Sequence, residues 1–249
     1  MVSVITAPLL EVLHATPRSR LLVLDVHDRA LTFAAGQAVL IGAPGAVERR
    51  PYSIASAPHR TSETGRLEVL VAVDEAGQAG PHLPQLAPGV LIEIEGPVGT
   101  FVFPQDFAGA RVLFVAGGTG IAPLRAMADH LLHTRPGCHV SLLYSARSHD
   151  EFAFIGELRR HAVERRLELH QTVTRDESTT WIGGRGRIGQ AHFEAVLHDP
   201  ANTLCFVCGP AALVSESVGT LEALGVPGRL IRTEAWVRRM PEHAFESGH

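Results

Sequence analysis

The sequence predicts a two-domain protein in which an antiparallel β-barrel or sandwich precedes a doubly wound α/β domain with a parallel sheet. In the first half, short apolar runs alternate with Gly-, Pro- and Asp-containing turns. From Arg111 onward, continuous apolar runs alternate with helical patterns instead. A chain of 249 residues is long enough to bury two modest cores. We place the boundary in residues 107–110, which gives domains 1–108 and 109–249.

The front half contains four apolar runs of strand length between turn residues. These runs are Leu21–Val26, Ala38–Gly42, Leu67–Val73 and Leu91–Gly96. Their spacing is typical of antiparallel strands.

The back half opens on Arg111–Ala116, a continuous apolar run of the kind found in parallel strands covered on both faces. We predict a helix from Pro123 and then three strands and three helices at His139–Tyr144, Phe152–Arg165, Leu167–Val173, Ile188–Leu197, Thr203–Cys208 and Ala211–Leu224. A last strand is predicted at Leu230–Ile231. Sheets of this kind bind ligands at the carboxyl ends of their strands.

Charge and composition exclude several classes of function. A net charge of −4 and a pI near 6.4 argue against a nucleic-acid or anionic-membrane partner, which would require a basic excess. The first ten residues lack a basic segment, and no apolar run approaches the ~20 residues of a membrane span. We therefore expect a cytoplasmic protein with no membrane partner, and we favour a monomer.

Neither the histidines nor the cysteines form a recognisable metal pattern. Among 14 histidines, His130 and His133 are close in sequence but have no obvious third ligand, so we expect solvated histidines and no metal site. The 3 cysteines provide neither a disulfide framework nor a four-cysteine iron–sulfur site. Any such cluster must sit on another protein.

Two segments carry recognisable binding chemistry. Residues 117–123 (GGTGIAP) follow a predicted strand, and glycines before a helix allow close approach of a pyrophosphate; the alternative is a tight strand-to-helix turn. Residues 50–53 (RPYS) offer a guanidinium, an aromatic face and a hydroxyl, which suit a flavin nucleotide; the alternative is an ordinary strand.

Together with residues 96–99 (GPVG) and 208–210 (CGP), these segments resemble, in the same order, the motifs of the ferredoxin–NADP reductase superfamily, which includes the reductases of bacterial oxygenases. The resemblance implies an FAD-binding β-barrel followed by an NAD(P)-binding domain, in a stand-alone form without an iron–sulfur domain. It implies a flavoprotein oxidoreductase, with FAD rather than FMN as its cofactor.

The resemblance also implies roles for individual residues. Arg50 would contact the flavin pyrophosphate, Tyr52 would stack on the isoalloxazine, and Ser53 would hydrogen-bond near N5, the atom that accepts the hydride. The remaining residues expected to bind the flavin or the nicotinamide coenzyme are Pro51, Gly80, Gly96, Gly99, Gly117, Gly118, Thr119, Gly120, Pro123, Gly209 and Pro210. Pro81 departs from the family pattern, because it has no N–H to offer a phosphate, so we expect rearranged phosphate contacts.

The spacing of Cys205 and Cys208 allows a redox dithiol or half a zinc site. Within a strand, however, an offset of three puts the two sulfurs on opposite faces. We therefore expect Cys205 to be a core residue, and the resemblance places Cys208 beside the nicotinamide as a catalytic residue.

Strand alternation puts Glu234 and Trp236 on one face. The resemblance implies that the Glu234 carboxylate supports proton relay and that Trp236 covers the flavin; the alternative is an edge strand with one buried aromatic residue. Residues 237–249 follow, where the plant-type pattern ends at the aromatic residue, so the tail is a second candidate for covering the cofactor.

The coenzyme is expected to be NADPH, with NADH as the alternative. The segment containing Arg147 has no carboxylate placed to bind ribose hydroxyls. Residues 174–176 (Thr174, Arg175 and Asp176) resemble the Ser-Arg-Glu that holds the 2′-phosphate in NADP-using members, and Arg187 adds a second guanidinium. Solvated surface arginines are the alternative interpretation.

The leading hypothesis for the acceptor is a ferredoxin or a flavodoxin that receives single electrons. Arg49, Arg238 and Arg239 would form a basic rim for such an acidic carrier. The rival hypotheses are the reductase component of an oxygenase and an electron-transfer subunit of a larger redox complex. A non-catalytic flavin or nucleotide sensor is the alternative from another class.

Overall fold

The computed structural model describes residues 3–29, 31–104 and 107–236. The front half consists of β1 (Ser3–Thr16), β2 (Ser19–Asp25), β3 (Ala38–Gly42), β4 (Arg50–Ser53), helix α1 (Pro58–Thr64), β5 (Arg66–Ala72) and β6 (Leu91–Val98). Its strands form a single sheet in the order β4-β3-β6-β1-β2-β5. None of the helices in these described ranges is long and apolar enough to cross a membrane.

The front sheet closes on itself as a barrel. Its two edges, β4 and β5, are joined by an antiparallel bridge between Ile54 and Val69 and by a hydrogen bond from the Ala55 N–H to the Glu68 carbonyl. Every strand pair in this sheet is antiparallel, as the sequence predicts. Closure leaves few open edges and buries one apolar face of the sheet as the front core.

The back half contains β7 (Arg111–Gly117), α2 (Ile121–Thr134), β8 (His139–Ala146), α3 (Ile155–Val163), β9 (Glu168–Val173), β10 (Gly184–Arg185), α4 (Gln190–Val196), β11 (Thr203–Pro210), α5 (Ala211–Ala223) and β12 (Ile231–Trp236). Its strands form a six-stranded parallel sheet in the order β10-β9-β8-β7-β11-β12. The chain order reverses between β7 and β11, so the ligand crevice of this fold lies at the carboxyl ends of those two strands.

The fold class is as predicted, but several elements differ. Elements β1, α1 and β10 are absent from the sequence prediction, and β4 appears in it only as the alternative to a binding segment. Helix α2 begins at Ile121, so Pro123 is its third residue; a proline fits there because the first turn of a helix needs no N–H partners. Helix α3 is shorter than predicted, because Phe154 and Arg165 adopt left-handed backbone conformations at either side of it. The domain boundary at 108 stays a prediction.

One buried guanidinium joins the two halves. Arg125 on α2 is only 7% exposed. It donates to the Ala55 carbonyl at 2.9 Å, pairs with Glu68 of the front sheet and bonds Glu157 of α3 at 2.8 and 3.0 Å. A buried charge is tolerated only when it is paired and its donors are satisfied, so Arg125 fixes where the halves meet.

A second ion pair lies at the same contact between the two halves, which we call the seam. Arg60 of α1 bonds Asp129 of α2 and lies 3.6 Å from Glu157. Asp129, Glu157 and His161 hold possible metal-ligand atoms within 4.8 Å of one another, but the two guanidiniums already occupy both carboxylates. His161 is buried, so the expectation of solvated histidines is wrong at this position.

We expect Arg125→Met to lower the free energy of unfolding by about 3 kcal/mol, the lower end for a broken buried ion pair, because it leaves Glu68 and Glu157 as partly buried carboxylates without this partner. Arg66→Met is the matched control: its pair with Glu11 is about half exposed, and such pairs contribute about 0–1 kcal/mol. Urea unfolding of both variants measures the difference. Equal losses in the two variants would contradict the role given to Arg125.

Candidate active site

Three polar side chains converge where the two halves meet. Ser53 ends β4 of the barrel, whereas Cys208 and Glu234 are paired residues of the neighbouring strands β11 and β12. The Ser53 hydroxyl donates to Glu234 Oε2 at 3.2 Å, and Cys208 Sγ lies 3.8 Å from the same oxygen. The three residues predicted to be catalytic therefore lie together, with a carboxylate at their centre.

Burial controls the protonation of this group. It raises the pKa of Glu234, and hydrogen bonds from Ser53 and Cys208, which favour the ionised form, partly offset that rise. Burial and the nearby Glu234 carboxylate raise the pKa of Cys208 far above its usual range. Cys208 is thus a neutral thiol at pH 7, and Glu234 is the group that can exchange a proton there.

A cleft of about 580 Å³ opens beside Glu234 between the two halves. Its walls are residues 99–102 and 104 from the segment after the barrel and Arg232, Thr233 and Glu234 from β12. Gly99 has a φ of +94° and nothing within 4 Å of the position where a side chain would begin. The Glu234 carboxylate therefore borders a space large enough for part of a planar ligand.

Strand β4 presents the predicted flavin-binding residues along the edge of the front sheet. Arg50 lies 3.7 Å from Glu48, and Pro51 is exposed. The Tyr52 hydroxyl bonds His82 Nε2 at 2.7 Å, and burial raises the Tyr52 pKa to about 12, so this phenol keeps its proton. His82 is buried, which again contradicts the expectation of solvated histidines.

The glycines of residues 117–120 serve two purposes. A side chain at Gly117 would begin 2.5 Å from Leu213, and one at Gly120 would begin 2.3 Å from the Cys208 carbonyl, so both are required for close packing against β11 and α5. Gly118 differs, because it has a φ of +54° and open space around it. Thr119 lies between them in a short 3₁₀ turn before α2.

This turn lies beside Gly209 and Pro210, at the point where the strand order reverses. Gly209 is close to the Gly117 backbone, and β7 pairs directly with β11.

At the front sheet, a side chain at Gly96 would begin 3.1 Å from Val39, whereas Gly80 has a φ of +113° next to His82. The predicted phosphate-binding segments thus combine tight packing with open positions.

The two cysteines of the C-x-x-C spacing lie on opposite faces of β11, as alternation predicts. Cys208 belongs to the core on the α2 side and Cys205 to the core on the α5 side. Burial raises the pKa of Cys205 to about 12. Both are free thiols, and neither is a partner for the other.

The predicted 2′-phosphate residues follow the carboxyl ends of β8 and β9. The Arg175 N–H donates to the Arg147 carbonyl at 2.8 Å, and Thr174 bonds Ala146 in the same way. Arg175 is exposed, while Arg187 lies 3.4 Å from Glu216 on the surface.

Asp176 accepts hydrogen bonds from the His149 and Ser178 backbone N–H groups and from His149 Nδ1. These bonds lower its pKa to about 2. Asp176 therefore shapes the loop that carries Arg175.

The predicted basic rim is wrong at Arg49, and its other two arginines lie outside the described residues. Arg49 bonds Glu93 at 2.5 Å and Glu95 at 3.1 Å, so its charge is neutralised within the barrel and it does not form a basic rim. Arg238 and Arg239 lie outside the described residues, as does the whole of 237–249. Trp236 ends β12 opposite Pro210, which places its backbone at the same edge as Glu234.

Comparison with known proteins identifies both halves. Residues 9–103 match the oxidoreductase FAD-binding domain family, and residues 114–218 match the oxidoreductase NAD-binding domain family. The ferredoxin–NADP reductase B of Sorangium cellulosum is 33% identical over 222 residues, which are 84% of this chain and 87% of that protein. The reductase component of phenol 2-monooxygenase from Pseudomonas sp. is 27% identical and aligns with 89% of this chain, which spans 61% of its length.

A solved structure agrees with these relatives. A cytochrome P450 reductase from Amycolatopsis superposes with a TM-score of 0.83 at 27% identity, covering 94% of this chain and 70% of that one. The order of the two domains matches the expectation drawn from the four motifs. The chain belongs to the ferredoxin–NADP reductase superfamily of FAD- and NAD(P)-dependent flavoprotein oxidoreductases.

Proposed function

We propose that this protein takes a hydride from NADPH onto FAD and delivers the electrons singly to a ferredoxin or a flavodoxin. The observation that carries the proposal is the convergence of Ser53, Glu234 and Cys208 across the seam, at 3.2 and 3.8 Å. Bound FAD would supply the redox chemistry that these side chains lack, accepting two electrons at once and releasing them one at a time.

The described residues fit an FAD of this kind. Arg50, Tyr52 and Ser53 follow one another on an edge strand and offer a cation, a ring and a hydroxyl. Gly99 and Gly118 leave open space where any other residue would place a side chain. We therefore assign Arg50 to the pyrophosphate, Tyr52 to the flat ring face and Ser53 to the ring edge near N5.

The protein contributes orientation and a proton path. A hydroxyl has one donor and two acceptor lone pairs, so Ser53 can pass a proton to ionised Glu234 along the hydrogen bond that it donates, while it accepts from a second donor. The raised pKa of Glu234 makes the protonated form accessible closer to neutral pH than for an exposed carboxyl. Cys208 remains neutral and packs beside the carboxylate without adding charge, and we assign it to the nicotinamide side of the site.

The residues after β8 and β9 support NADPH rather than NADH. Arg175 is exposed at the carboxyl edge of the sheet, and Gly186 bonds Val173, which brings the Arg187 segment to the end of the same strand. Two guanidiniums at this position suit a 2′-phosphate.

The reductase component of an oxygenase is the second candidate, favoured by the similarity to the phenol monooxygenase component and the P450 reductase. It uses the same half-reaction with a different acceptor, as would an electron-transfer subunit of a larger complex. Genes adjacent to this one discriminate between these acceptors. Rapid bleaching of the bound flavin by NADPH under anaerobic conditions would exclude a non-catalytic sensor.

Ser53→Ala is expected to slow flavin reduction by NADPH about 100-fold or more, the usual contribution of a positioned proton-transfer group, while flavin retention changes little. Anaerobic stopped-flow absorbance measures the rate, and fluorescence of released flavin measures retention. Ser215→Ala, an exposed change on α5, is the control and should match the unaltered protein. An unchanged rate in Ser53→Ala would refute the role of this hydroxyl.

The pH profile of kcat/KM should show an acid limb above the ordinary carboxyl pKa of about 4.3, because burial raises the pKa of Glu234. Activity that depends on the ionised carboxylate is then lost as pH falls through this raised pKa. Glu234→Gln should abolish the limb, and Glu194→Gln, on the exposed side of α4, should retain it. A limb that persists in Glu234→Gln would assign it to another group.

Arg175→Ala should raise KM for NADPH roughly tenfold or more, since a charge-assisted hydrogen bond contributes about 1.5–3 kcal/mol, and should leave KM for NADH nearly unchanged. Steady-state kinetics with both coenzymes makes the comparison. Arg159→Ala, an exposed arginine of α3, controls for general loss of surface charge. Equal effects on the two coenzymes would remove the case for the phosphate form.

A further inference from the structure

His82 is an unusual residue to find buried in a loop between two strands of the barrel. It is 3% exposed, and the backbone around it is fixed. The His82 carbonyl accepts from the Ala43 N–H at 2.8 Å, and the Leu83 N–H donates to the Gly80 carbonyl at 3.0 Å. Leu83 is itself buried in the front core, so the imidazole has little freedom to move.

One ring nitrogen of His82 is accounted for. Nε2 lies 2.7 Å from the Tyr52 hydroxyl, and the two rings are nearly parallel, at 13°. Burial and the charge of Arg50 lower the pKa of His82 to about 4, so the ring is neutral at pH 7. Because the phenol keeps its proton and has no other acceptor among the described residues, it donates to Nε2. A neutral imidazole that accepts at Nε2 carries its hydrogen on Nδ1.

The Nδ1–H is a buried donor with no hydrogen-bond partner in the described part of the chain. It faces the space above Gly80. A side chain at Gly80 would begin 3.4 Å from His82 Nδ1 and 3.6 Å from Arg50 Nη1. An imidazole N–H and a guanidinium therefore border the position that a side chain at residue 80 would occupy, and glycine places no atom there. Such a pair of donors fits an anionic oxygen.

We propose that His82 is a flavin-binding residue that donates from Nδ1 to a phosphate of FAD beside Arg50, replacing the backbone donor that Pro81 does not possess. Through Nε2 the same ring holds Tyr52 in place. The proposal rests on the flavin position given under Proposed function. It extends that position by naming a side-chain donor for the phosphate in this chain.

The roles of the two ring nitrogens of His82 can be tested separately by substitution. The amide of Asn matches Nδ1 of histidine in reach, and the amide of Gln matches Nε2. His82→Asn thus keeps the donor above Gly80 and loses the contact with Tyr52, whereas His82→Gln does the opposite. Titration of the full-length protein, stripped of flavin, with FAD and with riboflavin measures binding through flavin fluorescence. Thermal unfolding checks that each variant is folded.

The proposal predicts that His82→Gln weakens FAD binding about tenfold or more and leaves riboflavin binding within about threefold, because riboflavin has no phosphate. His82→Asn should bind FAD more tightly than His82→Gln. Pro81→Ala restores a backbone N–H, and we expect it to recover part of the loss when combined with His82→Gln. The exposed His14→Gln is the control.

Unchanged FAD binding in His82→Gln would overturn the proposal. Equal weakening for FAD and riboflavin would also overturn it, because His82 would then act only through Tyr52. If His82→Gln proves unfolded, the comparison of His82→Asn with unaltered protein decides: a selective loss of FAD over riboflavin would overturn the assignment to Nδ1. Failure of the unaltered protein to bind either flavin would instead refute the proposed function itself.

Discussion

The ion pairs of Arg125 are the constraint on which the site depends. Ser53 and Glu234 belong to different sheets, and their 3.2 Å contact exists only if the two halves meet in one orientation. Arg125 has donors directed at both halves, and a buried guanidinium cannot shift by even a small distance without losing a hydrogen bond. The orientation is therefore set by these hydrogen bonds together with the apolar core that the two halves share.

Close packing reinforces this orientation at the crevice. Gly120 contacts the Cys208 carbonyl too closely for any side chain, and Gly36 is held as closely against the Phe101 carbonyl. These glycines bring α2 and the segment after the barrel directly against their neighbours. Gly118 and Gly99, by contrast, border open space. Glycines thus bring backbone segments into close contact at Gly36 and Gly120 and leave open space at Gly99 and Gly118.

The sequence predicted most of the framework because its signals are local. The continuous apolar run of β7 and the glycine turn after it are visible without knowledge of any partner. Strand β1 was missed because it contains Pro8 and pairs with two different strands across a bulge, so its alternation is broken. No local sequence pattern indicated that Arg125 would be buried and paired. Its partners Glu68 and Glu157 are distant in sequence, and only the tertiary fold brings these opposite charges together.

Cys208 shows how burial selects one role from several that a motif allows. The C-x-x-C spacing alone permits a redox dithiol, but β11 sends the two thiols into separate cores, and their raised pKa values suppress the thiolate that disulfide exchange requires. The buried Glu234 carboxylate next to Cys208 disfavours a second negative charge still further. Cys208 is consequently a small, neutral, polarizable group buried beside Glu234, and we assign proton exchange at this site to Glu234 and Ser53.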